Sequence, residues 1–183
     1  MSSSYSEQSP IVVVAGTNRK NALSTAVSHH YAELLQAQGA PTKVVTLTDL
    51  PSDFTSSALY ENSGKDAGFN ELRGIMEQAE KYVFVIPEYN GSFPGVFKAF
   101  LDGLVLPKTL KGKKCALVGV SKGIQGGLLA LSHLTDILNY LRAYVYPLKP
   151  ALAQIHDGRL ETVLGNGRYV ELLEEQVKGF VGF

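Results

Sequence analysis

Three short apolar runs constrain this chain more than any other feature: Ile11-Val12-Val13-Val14-Ala15, Tyr82-Val83-Phe84-Val85-Ile86 and Cys115-Ala116-Leu117-Val118-Gly119-Val120. A strand with one wet face alternates polar and apolar residues, whereas a continuously apolar strand needs cover on both faces. Segments of helical period lie between these runs. Phe69 to Lys81 places Leu72, Ile75, Met76 and Ala79 on one face, and Gly127 to Arg142 carries an apolar stripe from Leu128 to Leu141. Such alternation predicts an α/β architecture, with a parallel sheet between two helical layers.

The remaining elements follow from punctuation. After the first strand, Ser24 or Thr25 can cap a helix running to about Gln38, which Gly39 ends. Lys43–Leu47 is a second strand, and the polar stretch from Leu50 to about Gly68 reads as a long loop. A helix is expected over Val96–Leu104. Tyr144–Tyr146 and Ala151–Ile155 form a fifth strand broken by Pro147 and Pro150, and a last helix covers Arg168–Val181. Five strands in 183 residues predict the flavodoxin-like winding, a five-stranded parallel sheet of order 2-1-3-4-5. Residues 11–183 are expected to form one domain, preceded by a flexible polar tail over residues 1–10.

Composition removes several functions. Seventeen basic and seventeen acidic residues cancel, leaving no electrostatic footprint for nucleic acid or an anionic membrane. The run Lys111-Gly112-Lys113-Lys114 reads as a solvated entry to the fourth strand. No apolar stretch approaches the roughly 18 residues that span a bilayer, and the N-terminus lacks a signal-peptide pattern, so a cytoplasmic location is expected. The one cysteine, Cys115, opens an apolar strand and reads as core. His29, His30, His133 and His156 show no zinc spacing, and no metal is expected.

Two strand ends carry conspicuous polar loops. Gly16-Thr17-Asn18-Arg19-Lys20-Asn21 leads from the first strand into a helix, where free backbone N–H groups and the helix dipole favour an anion. The hydroxyls of Thr17, Ser24 and Thr25, the Asn21 amide and the Arg19 guanidinium are suited to phosphate oxygens. Gly-Lys-Ser/Thr is missing, so this is no P-loop, and Gly-x-Gly-x-x-Gly is missing too. Pro87-Glu88-Tyr89-Asn90-Gly91-Ser92-Phe93-Pro94-Gly95 follows the third strand. In the expected winding the first and third strands flank the switch point at which such sheets bind ligands; flavodoxin with FMN is a standard example of the rule.

Gly16-Thr17-x-Arg19 and Pro87-Glu88-Tyr89-Asn90-x-Ser92-x-Pro94-Gly95-x-x-Lys98, followed by Asp102, resemble the NADPH-dependent FMN reductase family, whose relatives reduce quinones, azo dyes and chromate. A third loop, Ser121-Lys122-Gly123 with Gly126-Gly127, also fits. The resemblance implies FMN as cofactor, with Thr17, Asn18, Arg19, Asn21, Ser24 and Thr25 around the phosphate. It implies Pro87, Glu88, Tyr89, Asn90 and Gly91 along the ring and ribityl chain, and Ser121 and Gly123 at the ring edge. No side chain is assigned a catalytic role, because the flavin carries the chemistry. Backbone N–H groups of the Asn90–Gly91 and Ser121–Gly123 turns are candidate donors to reduced flavin.

The implied activity is ping-pong hydride transfer from NADPH or NADH to FMN and on to a quinone, azo compound, flavin or similar acceptor, in a homodimer or homotetramer. The apolar residues of Val96–Leu106 suit either a subunit contact or core. Ala22 stands where the family often has serine, Ala99 and Gly103 where it has asparagine and tryptophan, and Leu129 where arginine is common.

Two other readings start from the same residues. Gly119-Val120-Ser121-Lys122-Gly123 matches the nucleophile elbow Gly-x-Ser-x-Gly, with Asp136 and His156 following in hydrolase order. One helix fills the interval from Ser121 to Asp136, so Asp136 cannot end a later strand, and no oxyanion loop accompanies it. A flavodoxin-like electron carrier without turnover is the second, against which the neutral charge balance speaks.

Overall fold

The computed structural model describes residues 9–183, so most of the expected N-terminal tail lies outside the described residues. The sheet has strand order β2-β1-β3-β4-β5, all parallel, built from β1 (Ile11–Ala15), β2 (Thr42–Thr46), β3 (Lys81–Pro87), β4 (Lys114–Val120) and β5 (Tyr144–Val145). The expected winding is therefore present. The fifth strand is in fact two: β5 and β6 (Ala151–Leu152) pair with the two ends of β4 on the same side.

Helices cover both faces, and the apolar strands divide their side chains between them. Val12, Val14, Tyr82, Phe84, Ile86, Cys115 and Leu117 pack toward α3 (Ala67–Gln78), α4 (Gly95–Asp102) and α5 (Leu128–Tyr140). Val13, Val83, Val85, Ala116, Val118 and Val120 pack toward α1 (Leu23–Ala37) and α7 (Gly167–Gly182). Period two is thus present, with both positions buried.

Three expectations change. Ala22, without a side-chain cap, starts α1, and Ser24 and Thr25 lie inside its first turn. The stretch read as a loop folds into α2 (Phe54–Ser57) between two single 3-10 turns, Leu47–Asp49 and Tyr60–Asn62. Its few apolar residues explain this: Phe54, Ala58 and Leu59 are buried, and the Phe54 and Phe69 rings lie 5.6 Å apart. A Cβ on Gly103 would come within 2.4 Å of Phe69, so this packing occupies the space that a bulky residue at 103 would need. The segment from Val96 to Leu106 is mostly core, with Phe97, Phe100, Leu101 and Leu104 buried. A short helix, α6 (Leu160–Leu164), precedes α7 and was not foreseen.

The break between β5 and β6 leaves the middle of β4 without a neighbouring strand on the side away from β3. Gln176 on α7, fully buried, fills it. Its Nε2 donates to Leu117 O (3.0 Å) and Leu148 O (2.7 Å), and its Oε1 accepts from the Tyr31 hydroxyl (2.8 Å). Burial pushes the Tyr31 phenol above its usual pKa range, so it stays a donor. Gln176→Leu keeps the volume but leaves these partners unpaired, which costs about 2–4 kcal/mol. Urea unfolding should read this loss, and a change below about 0.5 kcal/mol would show that the network is dispensable.

Candidate functional site

Register brings the loops together. Ala15 pairs with Val85, Ile86 with Gly119 and Pro87 with Val120, so β3 and β4 end level while β1 ends two residues lower, and all three open on the same edge of the sheet. The ladder continues one residue into each loop: Gly16 N–H donates to Val85 O (2.9 Å), Glu88 N–H to Val120 O (3.0 Å) and Ser121 N–H to Leu152 O (2.9 Å). Gly16 is needed there, because a Cβ would sit 2.6 Å from Ile86 Cδ1 and 3.1 Å from Val85 O.

Between these ends lies a cavity of about 390 Å3, lined by Arg19, Asn21, Ala22, Leu23, Ser24, Pro87, Glu88, Tyr89, Val120, Ser121, Lys122, Ile155, Asp157 and Gly158. Residues expected from all three loops therefore meet. Its volume suits a small organic ligand. Arg19 and Lys122 bring positive charge, and Glu88 and Asp157 negative. Hydrogen bonds from Thr162 Oγ1 (2.6 Å) and Arg159 N–H (3.0 Å) hold the Asp157 carboxyl below its usual range.

One end of the cavity is prepared for an anion. Ser24 Oγ is buried, the residue being 1% exposed, and has no hydrogen-bond partner among the described residues. Ala22 offers no side-chain acceptor; Thr25 N–H turns back to Ala22 O (3.0 Å), and the Leu23 and Ser24 amides are without a partner among the described residues. Arg19 is exposed and forms none of the ion pairs among the described residues. An orphaned buried hydroxyl, uncapped amides and a spare guanidinium fit a phosphate, and so fit the phosphate end of FMN.

Other expected residues sit apart from the cavity. Thr17 is fully buried; its hydroxyl is 2.9 Å from the Tyr89 hydroxyl and accepts from Arg19 N–H (3.2 Å). It clamps the first loop to the second. Tyr89 both lines the cavity and anchors its loop. Asn18 borders a separate hollow beside Leu50 and Val96, and Thr25 faces another beside His29. Asn90 and Gly91, with φ of 52° and 78°, form the tip of a two-residue hairpin. That hairpin is closed by Tyr89 N–H to Ser92 O (2.7 Å) and Ser92 N–H to Tyr89 O (3.1 Å). The N–H groups of Asn90 and Gly91 have no partner among the described residues and remain available.

The third loop differs from expectation. Ser121 N–H is spent on Leu152, and Gly123 N–H donates to Ser121 Oγ (2.9 Å), so neither amide is free for a ligand. Gly126 and Gly127 serve packing, against Ala151 and Gly119. Lys98 and Asp102, part of the matched motif, pair with each other at 2.6 Å on α4 and do not border the cavity.

Sequence reasoning missed Leu23, Lys122 and the turn Ile155–Gly158. That turn is tied to the third loop by Gln154 N–H to Gly123 O (3.0 Å) and Ile155 N–H to Ser121 O (3.3 Å). The His156-Asp157-Gly158 triplet signalled a turn, but nothing local signalled where it docks.

No hydrolase triad forms. Asp136 and His156 are exposed and share no hydrogen bond with Ser121, and the histidine that reaches a loop hydroxyl is His133, 3.0 Å from Ser92 Oγ. Burial pushes the Cys115 thiol up, which leaves it inert. Among the described residues no cluster suits a metal, and no helix is long and apolar enough to cross a membrane.

The family described as NADPH-dependent FMN reductase matches residues 9–157. A quinone reductase from Escherichia coli is 30% identical over 142 residues, covering 76% of this chain and 74% of its own. A 2-hydroxy-1,4-benzoquinone reductase from a Burkholderia species is 33% identical over 141 residues, covering 72% of this chain and 70% of its own. Among solved structures, apo NADH:FMN oxidoreductase (EMOB) superposes with a TM-score of 0.78 at 17% identity, over 94% of this chain and 88% of that one.

Ser24→Ala separates ligand binding from folding. It removes a buried hydroxyl that the protein itself leaves unpaired, so stability without ligand should hold or rise by about 0.5–1 kcal/mol. FMN affinity, read by quenching of flavin fluorescence, should fall about fivefold. Unchanged affinity would mean that the hydroxyl does not face the phosphate.

Proposed function

The chain belongs to the NADPH-dependent FMN reductase family, and on that footing we propose a ping-pong cycle, with a quinone or similar two-electron acceptor as the second substrate. It is an FMN-dependent NAD(P)H oxidoreductase; the order of events and the acceptor are the proposal. One observation carries the reading. Three loops at the carboxyl ends of neighbouring strands line a single cavity that holds a buried hydroxyl without a partner.

When bound, FMN would supply the hydride chemistry between nicotinamide and acceptor. The chain's work is to bind and to orient. Arg19, Asn21, Ser24 and the uncapped α1 amides take the phosphate. Pro87, Glu88 and Tyr89 form the wall toward the ring, and the hydrogen bond to Thr17 fixes Tyr89. The N–H groups of Asn90 and Gly91, on the hairpin beyond Tyr89, are the loop donors left unspent for developing negative charge, since those of Ser121 and Gly123 are used. A rim with the exposed residues Arg19, Lys122 and Asp157 leaves one side of the cavity open. One opening serves both substrates, so the oxidised nicotinamide leaves before the acceptor enters. Quinone reductases among the relatives support a quinone.

The working unit is taken as residues 11–183, assembled as a homodimer or homotetramer. Ile124, Leu128 and Leu129, which are 80%, 52% and 46% exposed beside the third loop, support self-association there. A cytoplasmic location agrees with the use of NAD(P)H.

The test begins with the absorption spectrum of the protein loaded with FMN. Anaerobic NADPH should bleach the flavin band, and benzoquinone should restore it. Steady-state rates with both substrates varied should give parallel double-reciprocal lines; intersecting lines would replace the ping-pong order with a ternary complex. Arg19→Ala should weaken FMN about tenfold through loss of a charge-assisted pair, and an unchanged affinity would remove Arg19 from the site.

A further inference from the structure

Next to the phosphate end of the cavity lies a second hollow of about 630 Å3, walled by Lys20, Thr25, Ala26, His29 and Thr48. We propose that this hollow is a subsite for an adenosine phosphate, so that the chain also takes a dinucleotide reaching past the FMN cavity. The inference rests on the FMN-binding reading above and deepens it.

Continuity is the first argument. Asn21, Ala22, Leu23 and Gly158 border both the cavity and the hollow. The shared wall is the start of α1, where the unpaired Ser24 hydroxyl marks the phosphate position. A group bonded to that phosphate emerges over the wall into the hollow. Elements distant in sequence close it, with Thr48 following β2 and Gly158 following β6.

Chemistry is the second. Lys20 and His29 are exposed, and neither takes part in an ion pair among the described residues, whereas the adjacent His30 lies 3.6 Å from Glu33. Two cation-forming groups without a protein partner suit a phosphate. Asp49, beside Thr48, is occupied by the Thr46 hydroxyl at 2.7 Å. Ala22, Leu23 and Ala26 give a floor of modest apolar side chains on which a purine can lie, and the volume is within the range of small-molecule sites.

Two dinucleotides carry this chemistry. In flavin adenine dinucleotide the adenosine phosphate is bonded directly to the flavin phosphate; in NAD(P)H it belongs to the reducing substrate. Continuity at the phosphate wall assigns the subsite first to the flavin.

The experiment compares the wild-type protein with Lys20→Ala, His29→Ala and the double variant, all exposed positions outside the FMN contacts. Apoprotein is titrated with FMN and with FAD by flavin fluorescence, and the Michaelis constants for NADPH and NADH are measured on FMN-loaded enzyme. Wild-type protein should bind FAD within about tenfold of FMN. The double variant should lose about tenfold or more in FAD affinity while FMN stays within about twofold. A rise in the NADPH constant at constant kcat, with both flavins unaffected, supports the subsite and gives it to the nicotinamide dinucleotide. Parallel weakening of FMN and FAD, or no change in any titration, overturns it. Wild-type protein that binds neither flavin overturns the FMN reading itself, an outcome distinct from the loss of the subsite alone.

Discussion

The fixed register of three parallel strands is what the site depends on. With Ala15 opposite Val85 and Pro87 opposite Val120, β3 and β4 end at one level and β1 two residues below them, so the first loop rises beside the other two. A slip of one residue would turn every side chain of a strand to the other layer. Both layers are tightly filled, by Phe84, Phe97 and Phe100 on one side and by Tyr31, Leu173 and Phe180 on the other, so such a slip exchanges large residues for small ones throughout. The register is thus held by the core, and the position of the loops is a consequence of hydrophobic packing.

Packing sets the level of the strand ends but does not shape the loops above them. A few polar contacts do that. Thr17 is fully buried and its hydroxyl shares a hydrogen bond with that of Tyr89, 72 positions away, so the first loop cannot move without the hairpin. Ser121 Oγ takes Gly123 N–H, and the carbonyls of both residues receive the turn after β6. Each of these bonds ties loop to loop rather than loop to ligand. Against that background the unpaired Ser24 hydroxyl stands out, because buried polar groups in native proteins are nearly always satisfied and exceptions call for an explanation.

Much of this was legible in the chain. The apolar runs announced buried strands, and their polar, glycine-bearing followers announced the ligand edge. The start of α1 was misplaced for an instructive reason. Capping preference reads Ser24 and Thr25 as helix starts, since hydroxyls there usually accept from the first-turn amides. Here Ala22 occupies that position and the Leu23 and Ser24 amides stay open, so the local rule fails at the edge of the cavity. The stretch from Leu50 to Gly68 reads as loop because polar residues dominate it, and the burial of its few apolar residues, Phe54, Ala58 and Leu59, depends on Phe69 and the missing side chain at Gly103.

The fourth wall of the cavity shows where local signals end. Ile155, Asp157 and Gly158 follow a strand of two residues that comes after two prolines, and nothing in the segment itself points toward the first loop. Its place is determined from afar. Tyr169 on α7 donates to Ala153 O (3.0 Å) and accepts from its N–H (3.1 Å), while Gln176 bridges the gap in the sheet just below. The last helix therefore acts on the cavity through hydrogen bonds that no periodicity encodes. Asp157 is in turn held by Thr162 at the start of α6. A loop so braced contributes a rim of fixed charge, and fixed charges suit a cavity whose ligand carries its own, since little reorganisation is needed on binding.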